Sequence, residues 1–440
     1  MDTAGRDLAA RQLMRRPALP LALLAICLGM LQSGAQAQSG PPERIGQLPG
    51  PLPLFPADNW WNQDISAAPI DPGSAQFIAY VGTSRRLHPD FGGYESPGSV
   101  NIYGFPYLTV PGTQPKKAVQ FYYSDESDGV DHTTDRSYPF YPIPDEAITQ
   151  PYWIEGGPPG NQNPGGDRHM LIVDRDNRVL YELYDLHWDG SQWTGGSGAA
   201  FDLKLTARRP DGWTSADAAG LAILPGLVRY DEVVSGDEIR HAFRVTVRAT
   251  NGYVWPASHR AGSNASALPM GARLRLKASK DLSGYDPAVQ RIFRAFQRYG
   301  LIVADNGTDM YVSGTFDPRW NNNILNPAFG SLTAADFDVI ELGWRGTVGT
   351  PCTPLGTPSP FSITVSGRFA VLTWAGVAGA TDYLLEVGSS PGASDIFVAA
   401  LGNVTTASGY ADPRLYYARI RARNGCGVSQ PSNEVAVTIY

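Results

Sequence analysis

The sequence predicts a mainly β protein: a large β-sandwich, jelly-roll-like or barrel-like main domain with one clear helix, and a smaller β-sandwich behind it. Three observations carry this. Glycine and proline number 48 and 36 in 440 residues, which favours short strands joined by turns and irregular loops. Apolar residues recur mostly with a period of two, the repeat of a strand. One stretch alone, residues 286–299, has the full set of helix signals: Asp286 to cap it, Pro287 in its first turn, an apolar stripe of Val289, Ile292, Phe293 and Phe296, and Gly300 to end it.

The amino terminus reads as an export signal. Arg11, Arg15 and Arg16 precede an apolar run over residues 19–31, and Ala35 and Ala37 supply small residues at a cleavage site. A signal peptide over residues 1–37 implies an extracellular or periplasmic protein with no membrane attachment after cleavage. The net charge of −7 includes this basic segment, so the mature chain is more acidic still and has no long basic run. Nucleic acid is not an expected partner on that ground. Cleavage removes Cys27 and leaves Cys352 and Cys426, which an oxidising compartment would join as a disulfide.

Composition divides the remainder into a Pro- and Gly-rich leader (38–54), the main domain (55–346), a linker (347–360) and a carboxy-terminal part (361–440). A monomer is expected. Trp60 and Trp61, flanked by Asn and Asp, read as an apolar plug against the core rather than a sugar platform. The acidic cluster 125–131 lacks the spacing of a calcium loop and reads as a solvated turn. No metal and no cofactor is expected.

The candidate chemistry lies on two stretches. Alternation puts Asp167, His169, Leu171 and Val173 on one strand face, and Val179 begins the returning strand of a hairpin. In residues 238–247 the same period puts Ile239, His241, Phe243, Val245 and Val247 inward and Arg240, Arg244 and Thr246 on the other face. A histidine in register with apolar residues faces a core or a pocket floor, where its neighbours set its charge. Asp167, His169 and His241 are therefore expected to converge as the catalytic group. Arg208, Arg209, Trp213, Asp217, Arg229, Tyr230, Trp255 and His259 are expected to bind substrate from the surrounding loops. Ser215 lies in no nucleophile elbow. Asp305, before Asn306 and Gly307, reads as a turn residue between two strands of a hairpin, 301–304 and 310–313.

Two mechanisms fit this set. A neutral imidazole acting as base, with an arginine holding a substrate carboxylate, suits elimination from a uronic acid. Hydrolysis needs two carboxylates about 5 to 10 Å apart, for which Asp167 with Asp217 or Asp185 are the candidates.

The string of motifs from FPADNWWNQDIS through GDRHMLIVDRDNRVLYELYD, RPDGWTSADAAGLAILPGLVRYDEV, EIRHAFRVTV and YVWPASH to DPRWNN resembles a group of secreted bacterial proteins, over residues 53–323. That group carries no assigned activity to transfer. The alternating segments 361–367, 370–374, 383–387, 416–424 and 431–435 argue a small β-sandwich. They are similar to a fibronectin type III module, which implies Trp374 as the core tryptophan, Tyr417 as a core strand residue and a spacer or adhesive role. The expected function is a secreted carbohydrate-active enzyme, a hydrolase or lyase, degrading an extracellular polysaccharide. The alternative is a non-catalytic polysaccharide- or cell-surface-binding protein. A metal-dependent hydrolase on His169, His241 and His259 has no HExxH-type motif behind it and ranks third.

Overall fold

The computed structural model describes residues 40–346, 355–380, 382–424 and 427–440. The stretch expected to be a signal peptide, most of the expected linker, Cys352 and Cys426 lie outside the described residues.

The Met170–Asp174 strand pairs with Val179–Tyr184 as the expected hairpin, Asp174 closing its turn by accepting from the backbone of Asp176 and Asn177. Both faces of this hairpin are buried. Leu171 and Val173 join the larger apolar cluster, while Met170 and Ile172 join a smaller one with Leu108, Tyr141 and Trp193. A strand covered on both sides explains why its apolar run is continuous rather than alternating. The sheet built on it runs Glu43–Arg44, Tyr107–Val110, Met170–Asp174, Val179–Tyr184, Ser197–Asp202.

The second large sheet has the order Phe337–Val339, Arg273–Leu276, Leu301–Asn306, Phe243–Val247, Tyr311–Ser313, His88–Asp90. Here two expectations are corrected. Leu301–Asn306 and Tyr311–Ser313 are not a hairpin, because Phe243–Val247 inserts between them, parallel to the first and antiparallel to the second. The inserted strand is buried at all five positions, Arg244 and Thr246 included. It also begins at Phe243, which leaves His241 in the segment before it.

The architecture is mainly β, with mixed parallel and antiparallel pairing. The expected helix is present as Pro287–Arg298, its Asp286 cap accepting from the Ala288 N–H at 2.8 Å and its apolar stripe buried. Gly300 follows at φ +75°, where a Cβ would meet the Leu274 carbonyl at 2.6 Å. Two eight-residue helices, Ser74–Val81 and Asn322–Phe329, are additional, and both are too short for a full periodic pattern. Trp60 and Trp61 are buried as a plug. Asn59 caps their turn, and the Trp61 ring sits where a Cβ on Gly226 would be, 2.5 Å away.

In the carboxy-terminal part, Phe361–Ser366, Phe369–Trp374 and Thr406–Tyr410 form one sheet. Asp382–Gly388, Phe397–Ala400, Arg414–Asn424, Gly427–Val428 and Val435–Ile439 form the other. One apolar cluster joins them, with Trp374 against Tyr383. Tyr416, not Tyr417, is the core residue of its strand: alternation sends Tyr416, Ala418, Ile420 and Ala422 inward. The Tyr416 hydroxyl donates to the Asp412 carbonyl at 3.0 Å, a tyrosine bonded to the backbone a few residues upstream as in immunoglobulin-like sandwiches. Among the described residues no helix is long and apolar enough to cross a membrane.

Candidate functional site

A cavity of about 430 Å³ opens where strand ends from both large sheets meet. Its walls include Tyr123, Glu126, Asp167, Tyr184, His259 and Asp305, with His169 among them. Asp167 and His169 enter from the start of the hairpin, Tyr184 from its end, and Asp305 from the end of Leu301–Asn306. Loops around 213–218 and 259–261 close the remaining sides.

His169 is almost wholly buried, its ring between those of Phe105 and Tyr184. Nδ1 donates to the Glu155 carboxylate at 2.6 Å and Nε2 donates to the Ala216 carbonyl at 2.9 Å. Two acceptors require two protons, so the geometry itself calls for the imidazolium. Burial opposes that charge, but the Glu155 charge and hydrogen bond outweigh it and push His169 up to about 9. The expected neutral base is therefore corrected at this position. A ring that carries both protons has no lone pair to offer. Nor is Asp167 its partner: Arg168 takes a left-handed turn, φ +51°, that buries its own guanidinium on the carbonyls of Pro158 and Pro159 and leaves Asp167 exposed.

His259 is the imidazole that remains available. Nδ1 donates to the Ala218 carbonyl at 2.9 Å, which fixes the tautomer and points Nε2 toward Glu126, 3.8 Å away. Glu126 accepts from the Thr214 N–H at 2.8 Å. Asp305 is held by Arg244, whose Nη2 donates to it at 2.9 Å. The same guanidinium donates from Nε and Nη2 to both oxygens of Asp217, each at 2.9 Å, and from Nη1 to Ser313. Burial pushes the Asp217 carboxyl up to about 6 against the pull of Arg244. Asp217 has no exposed surface, so it lies behind the cavity and does not reach a substrate.

The remaining predicted residues are placed elsewhere. His241 does not converge with His169. It lines a second cavity of about 460 Å³ with Arg229, Asp231, Glu232 and Glu238. Its ring nitrogens meet the Ala242 carbonyl at 2.8 Å and Glu232 at 3.0 Å. Arg229 donates to the same Glu232 at 2.6 Å. Tyr230 lies under the Arg319 guanidinium at 4.2 Å, and Trp255 packs edge-on to Trp60. Arg208 donates to Asp211 and to the Ala257 carbonyl. Arg209 donates to Asp128 and to the Glu126 carbonyl while lying over Trp213. These two arginines and Trp213 brace the loops that carry Glu126 and His259, with no free guanidinium left for a ligand.

Four wall residues escaped the sequence reading of the site. Glu126 sat in the acidic cluster taken for a solvated turn, and Asp305 was masked by the Asn-Gly that follows it. Tyr123 and Tyr184 carry no local mark. One signal was present: Glu182, a charge inside the apolar run VLYELY, is fully buried and accepts from the N–H groups of Ile223 and Leu224. Burial pushes it up to about 8 despite those bonds. Among the described residues no group of three or more His, Cys, Asp or Glu is arranged to hold a metal.

No protein-family model matches the chain, and no curated protein matches it. Solved structures similar to it are fibronectin type III domains. One, FN3tt mut, is 24% identical and covers 20% of this chain and 97% of its own, with a TM-score of 0.17. The sixth such domain of human fibronectin type III domain containing protein 3 is 20% identical over 21% of this chain and 91% of its own, TM-score 0.17. A two-domain segment of chicken tenascin is 17% identical over 20% of this chain and 51% of its own, TM-score 0.17.

Proposed function

We propose that the protein is a secreted polysaccharide hydrolase, with its chemistry in the acidic cavity and its fibronectin type III-like part as an accessory module. The observation that carries this is the wall itself: Glu126, Asp167 and Asp305 beside an imidazole whose Nε2 has no hydrogen-bond partner among the described residues. His259 takes a proton from an attacking water as its oxygen bonds to the anomeric carbon, the departing alcohol oxygen takes a proton from solvent as the glycosidic C–O bond breaks, and Glu126 steadies the imidazolium that results. Asp167 and Asp305 face the positive charge that develops on a sugar ring as the glycosidic bond breaks.

The same wall disfavours the lyase alternative. Elimination from a uronic acid needs a cation on the substrate carboxylate, yet no arginine or lysine is among the wall residues. Two guanidiniums touch wall residues and both are engaged, Arg244 by Asp217, Asp305 and Ser313, and Arg209 by Asp128 and the carbonyls of Glu126 and Thr214. A neutral or amino-sugar polysaccharide suits such a cavity, and a polyanion is repelled by it. The test is incubation of the purified mature chain with neutral, amino-sugar and uronic-acid polysaccharides. New reducing ends from the first two, lost in His259→Ala and Asp167→Asn, support the reading. Unsaturated products absorbing in the ultraviolet, or full activity in both variants, overturn it.

A further inference from the structure

Tyr122 is 83% exposed and Tyr123 45%, a large apolar area for a surface to leave uncovered. Neither is displayed by a mobile tip. The preceding strand, Val119–Phe121, is paired along its length with Trp193–Gly195. The N–H groups of Tyr122 and Tyr123 continue that pairing to the carbonyls of Gly195 and Gly196, at 3.0 and 2.9 Å. Phe121 anchors the strand by packing on Tyr141. The two tyrosine rings then stand edge to face at 4.8 Å. Tyr123 and Tyr184 both line the acidic cavity, and Tyr122, outside that lining, packs on Tyr123, so an aromatic surface leads from the cavity out to Tyr122.

We infer that this row is a binding track for a glycan chain, so that the cavity takes a segment of a polymer rather than an isolated sugar. An aromatic ring on a fixed backbone offers its face to the C–H side of a pyranose at little cost in side-chain freedom, and the phenol hydroxyl remains free to bond the sugar hydroxyls. Continuity with a cavity rich in hydrogen-bonding groups selects a sugar over an apolar partner, which would find no matching surface beyond Tyr123. Tyr122 lies outside the wall and touches no group given a chemical role. It therefore governs hold on the chain and not bond cleavage.

The inference rests on the hydrolase reading only for what happens inside the cavity, and the test separates the two. The full mature chain is run on native gels containing glucomannan, mixed-linkage glucan or glycol chitosan. At least one polymer is expected to retard the wild type. Tyr122→Ala should bind that polymer about tenfold more weakly, and Tyr122→Phe, which keeps the ring face and loses only the hydroxyl, should bind no more than about threefold more weakly. Wild-type protein unretarded by all three polymers, or Tyr122→Ala retarded as strongly as the wild type, overturns the track. Retardation that depends on Tyr122 in a protein that cleaves none of them leaves the track standing and removes the hydrolase.

Discussion

The chain contains two buried histidines, each bonded to a glutamate beside a cavity, and only one of these places has the makings of a reaction centre. His169 with Glu155 and His241 with Glu232 share a plan: one ring nitrogen on a carboxylate, the other on a backbone carbonyl. They differ in what surrounds the pair. Around His241, the glutamate is also held by Arg229, so donors and acceptors consume one another. Around His169, the surplus is acidic, and a second imidazole, His259, stands half-exposed with one nitrogen uncommitted. A buried histidine in an apolar register therefore marks a hydrogen bond to a buried carboxylate. Under the proposed hydrolase reading, the reactive group is the one whose hydrogen bonds fall short of its capacity.

The largest effect should come from removing the cation that holds the first region together. Arg244→Met leaves Asp217 without a partner in a fully buried place, which costs about 3–5 kcal/mol for a broken buried pair. Urea unfolding checks this. Arg229→Met should cost less, because His241 still faces Glu232. Equal losses would mean that the two regions are alike in their dependence on a central arginine, contrary to the comparison.

Next is the contrast between the uncommitted and committed histidines. His259→Ala should lower turnover about 100-fold or more while leaving the melting temperature near the wild-type value, as expected for a lost proton-transfer group. His241→Ala should do the reverse, lowering stability with turnover per folded molecule unchanged. Calorimetry alongside an activity assay reads both. If His241→Ala abolishes turnover in folded protein, the second cavity is the reaction centre.

A smaller effect follows from the charge on His169. Its folded pKa of about 9 lies above the ordinary 6.5, so its contribution to stability is fully present below pH 6.5 and is lost as pH rises through 9. Glu182, raised to about 8 by burial, acts in the same direction up to that pH, whereas Asp217, raised to about 6, has lost its contribution before this range begins. The melting temperature should fall from pH 6.5 to 9. Glu155→Gln should cost about 2 kcal/mol near pH 6.5, the scale of a hydrogen bond to a charged group, with the deficit shrinking toward pH 9. A deficit constant with pH would show that Glu155 packs without stabilising the imidazolium.

Much of the fold was legible because its signals are local. The cap, stripe and terminating glycine of Pro287–Arg298 lie within one short stretch, and the Met170–Tyr184 hairpin is set by Asp174 and its turn. The order of the second sheet was not legible. Nothing near Asn306 shows that a strand from some 60 residues earlier will part Leu301–Asn306 from Tyr311–Ser313. The site divided in the same way. Asp167, His169 and His259 could be named from strand register and strand ends. Which carboxylate each histidine meets depends on contacts such as Glu155 to His169 that span loops, and so the guessed partner Asp167 was the wrong one.

The smallest effect tests how far the second region is closed on itself. Asp231 approaches Arg229 Nε at 3.5 Å but is half-exposed, whereas Glu232 approaches Nη2 at 2.6 Å from a largely buried position. Water screens the first contact and not the second, so Asp231→Ala should cost no more than about 1 kcal/mol. Part of that loss belongs to the helix Tyr230–Val234, whose first turn gains from an acidic residue against its positive end. Raising the salt concentration should shrink the difference further, since both contributions reach through solvent. A salt-insensitive loss of about 3 kcal/mol would place Asp231 inside the ionic core, with Arg229 needing two carboxylates as Arg244 does. The contrast between a self-satisfied region and an acidic, open one would then have to be redrawn around a shared arrangement of one arginine between two acids.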